Sequence, residues 1–181
     1  MRTMYNPMKK LFPVVVATIV MLSSCATVQS LIKSSFPYNA TVVIPAGTKS
    51  DTNISTSSAA TSFDQVFGNQ NGTDYVKEIR IASAKMEASN PSNKSLGMFK
   101  SVKLFVANEK GEEVMVASRN DVQQNIGTGL VLDIDNSRFL DNYVKGTNLR
   151  IRMEYVLREK TTTDVSVRVS LSFSTSPKTN N

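Results

Sequence analysis

The chain has 181 residues and not one histidine. That absence removes Ser-His-Asp triads, general acid–base work by imidazole and nearly every catalytic zinc site. It has a single cysteine, so no intramolecular disulfide can staple the fold and stability must come from packing. Tryptophan is also missing and the five tyrosines are scattered, which leaves an aromatic sugar-binding platform without support. No stretch reaches the roughly 20 apolar residues of a membrane-spanning helix. Lysine and arginine are dispersed and not clustered with aromatics, so there is no basic stripe for nucleic acid. The glycines of Ile126-Gly127-Thr128-Gly129-Leu130 do not make a phosphate loop, because a third glycine and a following helix are lacking. No cofactor is expected.

What is present begins at the N-terminus. Read from Met8, two lysines precede the apolar run "LFPVVVATIVML", residues 11–22, and the small residues Ser23 and Ser24 follow before Cys25. This is the n-region, h-region and cleavage site of a secretory signal, and translation is expected to start at Met8. Twelve apolar residues are too few to span a bilayer, so residues 1–24 are expected to be removed.

Leu22-Ser23-Ser24-Cys25 resembles the lipobox of bacterial lipoproteins. The resemblance implies that the Cys25 sulfur carries a diacylglyceryl group, that the chain is cut just before it, and that Cys25 is an anchor and not a nucleophile. Two or three acyl chains hold stably where one holds weakly. Ala26 follows and no aspartate comes at once, so by analogy with lipoprotein sorting the outer membrane is expected. The acid-free segment "CATVQSLIKSSFP" favours the periplasmic side, with surface exposure left open. Residues 25–37 read as lipidated cysteine and tether. Ser30 and Lys33 have the spacing of a serine–lysine pair, yet on the tether no pocket can form around them.

Removing residues 1–24 leaves 157, enough for one domain with its own core. The net charge of +6 falls to +3 once Arg2, Lys9 and Lys10 leave with the leader. A single domain is expected over residues 38–176, with a short tail at 177–181.

Its clearest signal is alternation. In "LRIRMEYVLRE" Leu149, Ile151, Met153, Tyr155 and Leu157 share one face, with Arg150, Arg152, Glu154 and Arg158 on the other. In "DVSVRVSLSFSTS" Val165, Val167, Val169, Leu171 and Phe173 alternate with serines and Arg168. Joined by "KTTTD", the two read as one long antiparallel hairpin. A second hairpin is expected from "SVKLFVAN" and "EEVMVAS" around Gly111, whose freedom at positive φ suits a tight turn. Further strands are expected at "ATVVIPA", "EIRIASAKMEAS" and "GLVLDID", with another in the Ser/Thr-rich 48–60 stretch unless that is a flexible connection. In "EIRIASAKMEAS" the apolar phase moves from Ile79 and Ile81 to Ala84, Met86 and Ala88, as a β-bulge requires. Two short helices are expected: "SFDQVFG", capped by Ser62 with Gln65 and ended by Gly68, and "SRFLDNYVKG", capped by Ser137 or Asn136 and ended by Gly146.

The expected fold class is therefore all-β, an antiparallel β-sandwich of seven or eight strands with two short helices, and a barrel as second choice. Residues 76–175 resemble, by pattern, the sandwich domains of uncharacterised Bacteroidota envelope lipoproteins, a family without an activity to borrow. Asp133 and Asp135 alternate like the first half of a calcium loop, but the turn glycine and closing glutamate are missing; they read as acids favouring the start of the next helix. Arg150, Arg152 and Arg158, continued by Arg168 on the neighbouring strand, form a candidate partner-contact face, whether for an acidic protein or for lipid headgroups, against the plain reading of a solvated outer face. The expected function is non-enzymatic: an outer-membrane lipoprotein anchored through Cys25, acting as an interaction or accessory subunit with an envelope protein partner. The alternative is a carrier holding a lipid or small apolar ligand in an internal cavity.

Overall fold

A computed structural model describes residues 36–67, 72–145 and 148–178. Cys25, the leader, Ser30, Lys33, the terminators Gly68 and Gly146 and the last three residues of the tail lie outside the described residues. Alternating burial has produced nine strands: β1 (Phe36–Ile44), β2 (Asn53–Ser57), β3 (Val76–Asn90), β4 (Phe99–Ala107), β5 (Glu113–Arg119), β6 (Gly129–Val131), β7 (Asp133–Ile134), β8 (Arg150–Leu157) and β9 (Val165–Pro177). They form a four-stranded sheet in the order β1-β9-β3-β6 and a five-stranded sheet in the order β2-β8-β4-β5-β7, all pairs antiparallel. The architecture is a β-sandwich, as the alternation implied, and the Ser/Thr-rich stretch supplies the edge strand β2. β1 starts at Phe36, inside the stretch read as tether.

The expected terminal hairpin is not formed. β8 belongs to the five-stranded sheet and β9 to the four-stranded one, so residues 158–164 cross between layers. Period-two alternation says which face of a strand is buried, but two strands facing one core from opposite sides carry the same pattern as two paired neighbours. What decides here is the pairing each strand makes elsewhere: β8 lies between β2 and β4, and β9 between β1 and β3.

Other local signals held. β4 and β5 form the second hairpin, with Gly111 at φ 80° in its turn. β3 shifts register between Ile81 and Ser83, which lets Ile79, Ile81, Ala84 and Met86 all reach the core. A further bulge spans Lys77 to Arg80, with Glu78 at φ 57°. After β6 the chain changes layer at Leu132, whose N–H donates to Ala84 O at 3.0 Å before β7 joins the other sheet.

Both helices are shorter than expected. "SFDQVFG" yields a 3-10 turn at Phe63–Phe67, with the Asp64 N–H donating to Ser62 Oγ at 3.1 Å. "SRFLDNYVKG" yields one helical turn, α1 (Asp141–Val144), whose N-cap is Leu140 and not Ser137 or Asn136. An isolated turn gains too little from its own hydrogen bonds to extend; here the chain instead commits Asp141 to β3. Its carboxylate accepts from the N–H groups of Glu78 and Ile79 at 3.1 and 3.0 Å, filling donors that the bulge would leave open. Asp141→Ala is expected to cost about 1–3 kcal/mol in urea unfolding, with Asp141→Asn losing less because one acceptor remains.

The core between the sheets carries aromatic contacts toward both of its ends. Phe63 and Phe173 meet edge to face at 4.9 Å between centroids, Tyr38 packs on Phe173 at 6.4 Å, and Phe99 meets Tyr155 at 5.7 Å. Burial raises the phenol pKa of both Tyr38 and Tyr155 above the ordinary 10.0, with hydrogen bonding to Thr61 and the influence of Thr48 acting the other way. The Tyr155 hydroxyl is buried without a partner at hydrogen-bond geometry, although Thr48 is near enough to act on it. Above pH 10 the unfolded chain therefore gives up phenol protons that the folded chain keeps, so stability falls as pH rises beyond that point. Phenolate absorbance followed with the unfolding midpoint is expected to show the two changes together.

Candidate functional site

The two ends of the sandwich differ. At the near end β1 begins at Phe36; at the far end β1 finishes at Ile44 opposite Val165, and Leu157 closes β8. Four connections meet at the far end, residues 45–52, 91–98, 120–128 and 158–164. They are tied by backbone bonds, Leu96 N–H to Gly127 O at 2.7 Å, Arg158 N–H to Met98 O at 2.8 Å and Thr161 N–H to Thr48 O at 3.1 Å, and Leu96 and Val122 reach from them into the core. The buried Thr161 hydroxyl donates to Pro45 O at 2.7 Å and accepts from the Thr48 N–H at 2.9 Å.

Between three of these connections, 91–98, 120–128 and 158–164, lies a surface cleft of about 380 Å³, lined by Lys94, Ser95, Gln124, Arg158, Lys160 and Thr163 among others. Arg158 anchors its wall: Nε donates to Gly97 O at 3.1 Å and Nη2 donates to Val122 O. Its partners are neutral carbonyls, so the guanidinium charge is not cancelled. Among the described residues neither Lys94, Lys160 nor Arg158 forms an ion pair, and Glu159 is the one carboxylate in the lining. Three cations with hydroxyl and amide donors in one recess suit a carboxylate or phosphate group, with the charge attracting and the fixed donors orienting it.

The four arginines read as one face are dispersed. Arg150 and Arg152 lie on β8 beside a second cleft of about 370 Å³ near the 108–113 turn. Arg152 is committed: it holds Glu113 through Nε and Nη2 at 2.6 Å each, reaches Glu154 at 2.7 Å and stacks over Phe105 at 4.0 Å. The Glu113 bonds hold its pKa up, and its charge is largely neutralised. Arg168 stands on the other sheet, beside a third cleft of about 260 Å³ along β1. Only Arg158 enters the far-end cleft. Lys94 and Lys160 were missed because each sits in a turn without periodicity; no local signal marks them.

Asp133 and Asp135 hold no metal-like arrangement. Asp133 pairs with Arg119 at 3.2 Å, while Asp135 accepts from Ser137 N–H at 3.1 Å and Ser137 Oγ at 2.6 Å, bonds that lower its carboxyl pKa. α1 starts at Asp141, so these acids close a local turn and do not face a helix end. Among the described residues no group of three His, Cys, Asp or Glu could hold a metal ion, and no helix is long and apolar enough to cross a membrane.

No protein-family model and no curated protein matches the chain. Among solved structures, one of Desmodium yellow mottle tymovirus aligns over 82% of this chain and 89% of its own, at 12% identity and a TM-score of 0.27. One of turnip yellow mosaic virus aligns over 82% and 98%, at 10% identity and a TM-score of 0.26. Likeness at that level carries no argument about this chain.

Proposed function

We propose that the protein is a bacterial envelope lipoprotein, held on the outer membrane by acyl chains on Cys25, whose sandwich is a non-enzymatic interaction or accessory subunit. The anchor reading rests on the Leu22-Ser23-Ser24-Cys25 motif closing an apolar run. The observation that carries the binding reading is the far-end cleft, where Lys94, Arg158 and Lys160 gather without an ion-pair partner among the described residues. An acidic group of an envelope partner is the matching occupant. Two-dimensional confinement by the lipid raises the effective concentration toward a membrane partner, so modest intrinsic affinity is enough.

The test is extraction of the lipidated protein from its own membranes in mild detergent, with mass spectrometry of what accompanies it. A stoichiometric protein partner that disappears with the double substitution Lys94→Glu and Lys160→Glu supports the reading. A partner that remains moves the contact away from the cleft, and a bound lipid or small apolar molecule with no protein replaces this reading with that of a carrier.

A further inference from the structure

The near end carries a different surface. Tyr75, just before β3, is 72% exposed, and Phe139, which lies alongside the same part of β3, is 50% exposed. Their neighbourhood is fixed by backbone bonds: Leu140 N–H to Ile79 O at 2.7 Å on one edge of β3, and Lys178 N–H to Tyr75 O at 2.9 Å on the other. Arg80 lies over the Phe139 ring at 4.0 Å and donates to Asn136 O at 2.5 Å, while Lys178 Nζ donates to Asp74 O at 2.7 Å. Arg138 and Lys77 are exposed beside them. The nearby carboxylates are in part committed, Glu78 to Lys77 at 3.9 Å and Asp141 to backbone N–H groups.

We infer that this end docks on the lipid headgroups of the membrane that holds the anchor. The inference rests on the lipid-anchored reading of Cys25. Exposed aromatic rings flanked by lysine and arginine suit the bilayer interface, where ring bodies sit among apolar groups while cationic heads stay with phosphates. The chain itself names the occupant. It enters β1 at this end, through Phe36, and only eleven residue steps separate Phe36 from Cys25. At full stretch those steps reach about 40 Å, which bounds the distance from this end to the surface that holds the acyl chains. The β3 and β9 strands run past the start of β1 here, since Val76 pairs with Pro177 while Phe36 pairs with Phe173, so Tyr75 stands beyond the first β1–β9 pair.

Because the chain has no tryptophan, each of Tyr75→Trp, Phe139→Trp and the far-end control Thr162→Trp gives a single fluorescent reporter. The full lipidated protein is reconstituted in phosphatidylethanolamine–phosphatidylglycerol vesicles with or without bromine-labelled phosphatidylcholine, and flotation is scored first. Floated protein is expected to show blue-shifted emission at residues 75 and 139 that drops on brominated lipid, with residue 162 unaffected. Floated protein with no quenching at 75 and 139, or with equal quenching at all three positions, overturns docking while leaving the anchor intact. Failure of the lipidated protein to float overturns the anchor reading and the docking with it.

Discussion

Phe173→Ala is expected to lower the unfolding free energy by about 3–5 kcal/mol, enough to leave much of a marginally stable domain unfolded. The residue sits on β9 where that strand is paired on both sides, opposite Phe36 of β1 and Ile81 of β3. Its ring is fully buried and meets Phe63 edge to face, and Tyr38 completes a cluster of three rings in mutual contact. Removing it takes away the transfer free energy of a phenyl group and leaves a cavity whose walls belong to three strands and the Phe63–Phe67 turn. Those walls cannot close in without breaking a ladder. Urea midpoints at constant m-value are the measurement, and Phe173→Leu is expected to lose roughly a third to a half as much because most of the volume stays. A loss under 1 kcal/mol would mean that the ring does not hold the layers together.

Gly97→Ala is expected to be nearly as damaging through a smaller change. A Cβ at Gly97 would lie 1.9 Å from the Gln124 carbonyl oxygen and 2.5 Å from its carbon, so backbone and not a movable side chain must yield. Neither segment has slack, because Leu96 N–H is bonded to Gly127 O at 2.7 Å and Arg158 grips Gly97 O at 3.1 Å. A loss of about 3 kcal/mol follows, the upper end of what forcing extra volume into a packed interior costs. Gly111→Ala is the contrast: nothing stands within 4 Å of its Cβ, and only its φ of 80° opposes the change. About 1 kcal/mol is expected there. Equal effects from the two substitutions would show that the 97–124 contact yields freely. Gly97→Ala is also expected to disturb the far-end cleft, whose Arg158 wall hangs on that carbonyl.

Strand faces were legible because burial on one side of a sheet writes itself into every second residue. Ile151, Met153, Tyr155 and Leu157 are buried as the alternation requires, and the phase change in β3 marks its bulge. The partnership of β8 and β9 was not legible, since it depends on competitors elsewhere in the chain. The arginines show the same limit. Arg150, Arg152 and Arg158 have identical parity, yet one stands exposed, one is held by Glu113, and one bends around the end of its strand to clamp two carbonyls. Parity assigns a side of the sheet; the far-end cleft depends on where loops from three distant parts of the sequence meet.

The pairing of β1 with β9 sets an order in time. β1 is among the first parts of the domain to be synthesised and β9 is the last, and they share nine register pairs. β3 also leans on β9 along most of its length. The four-stranded sheet therefore lacks the strand that joins β1 to β3 until the chain is finished to Pro177, and the long loop that must close before those pairs form makes that sheet slow to assemble. A chain truncated before β9 leaves β1 with no ladder partner in that sheet and β3 paired only with β6.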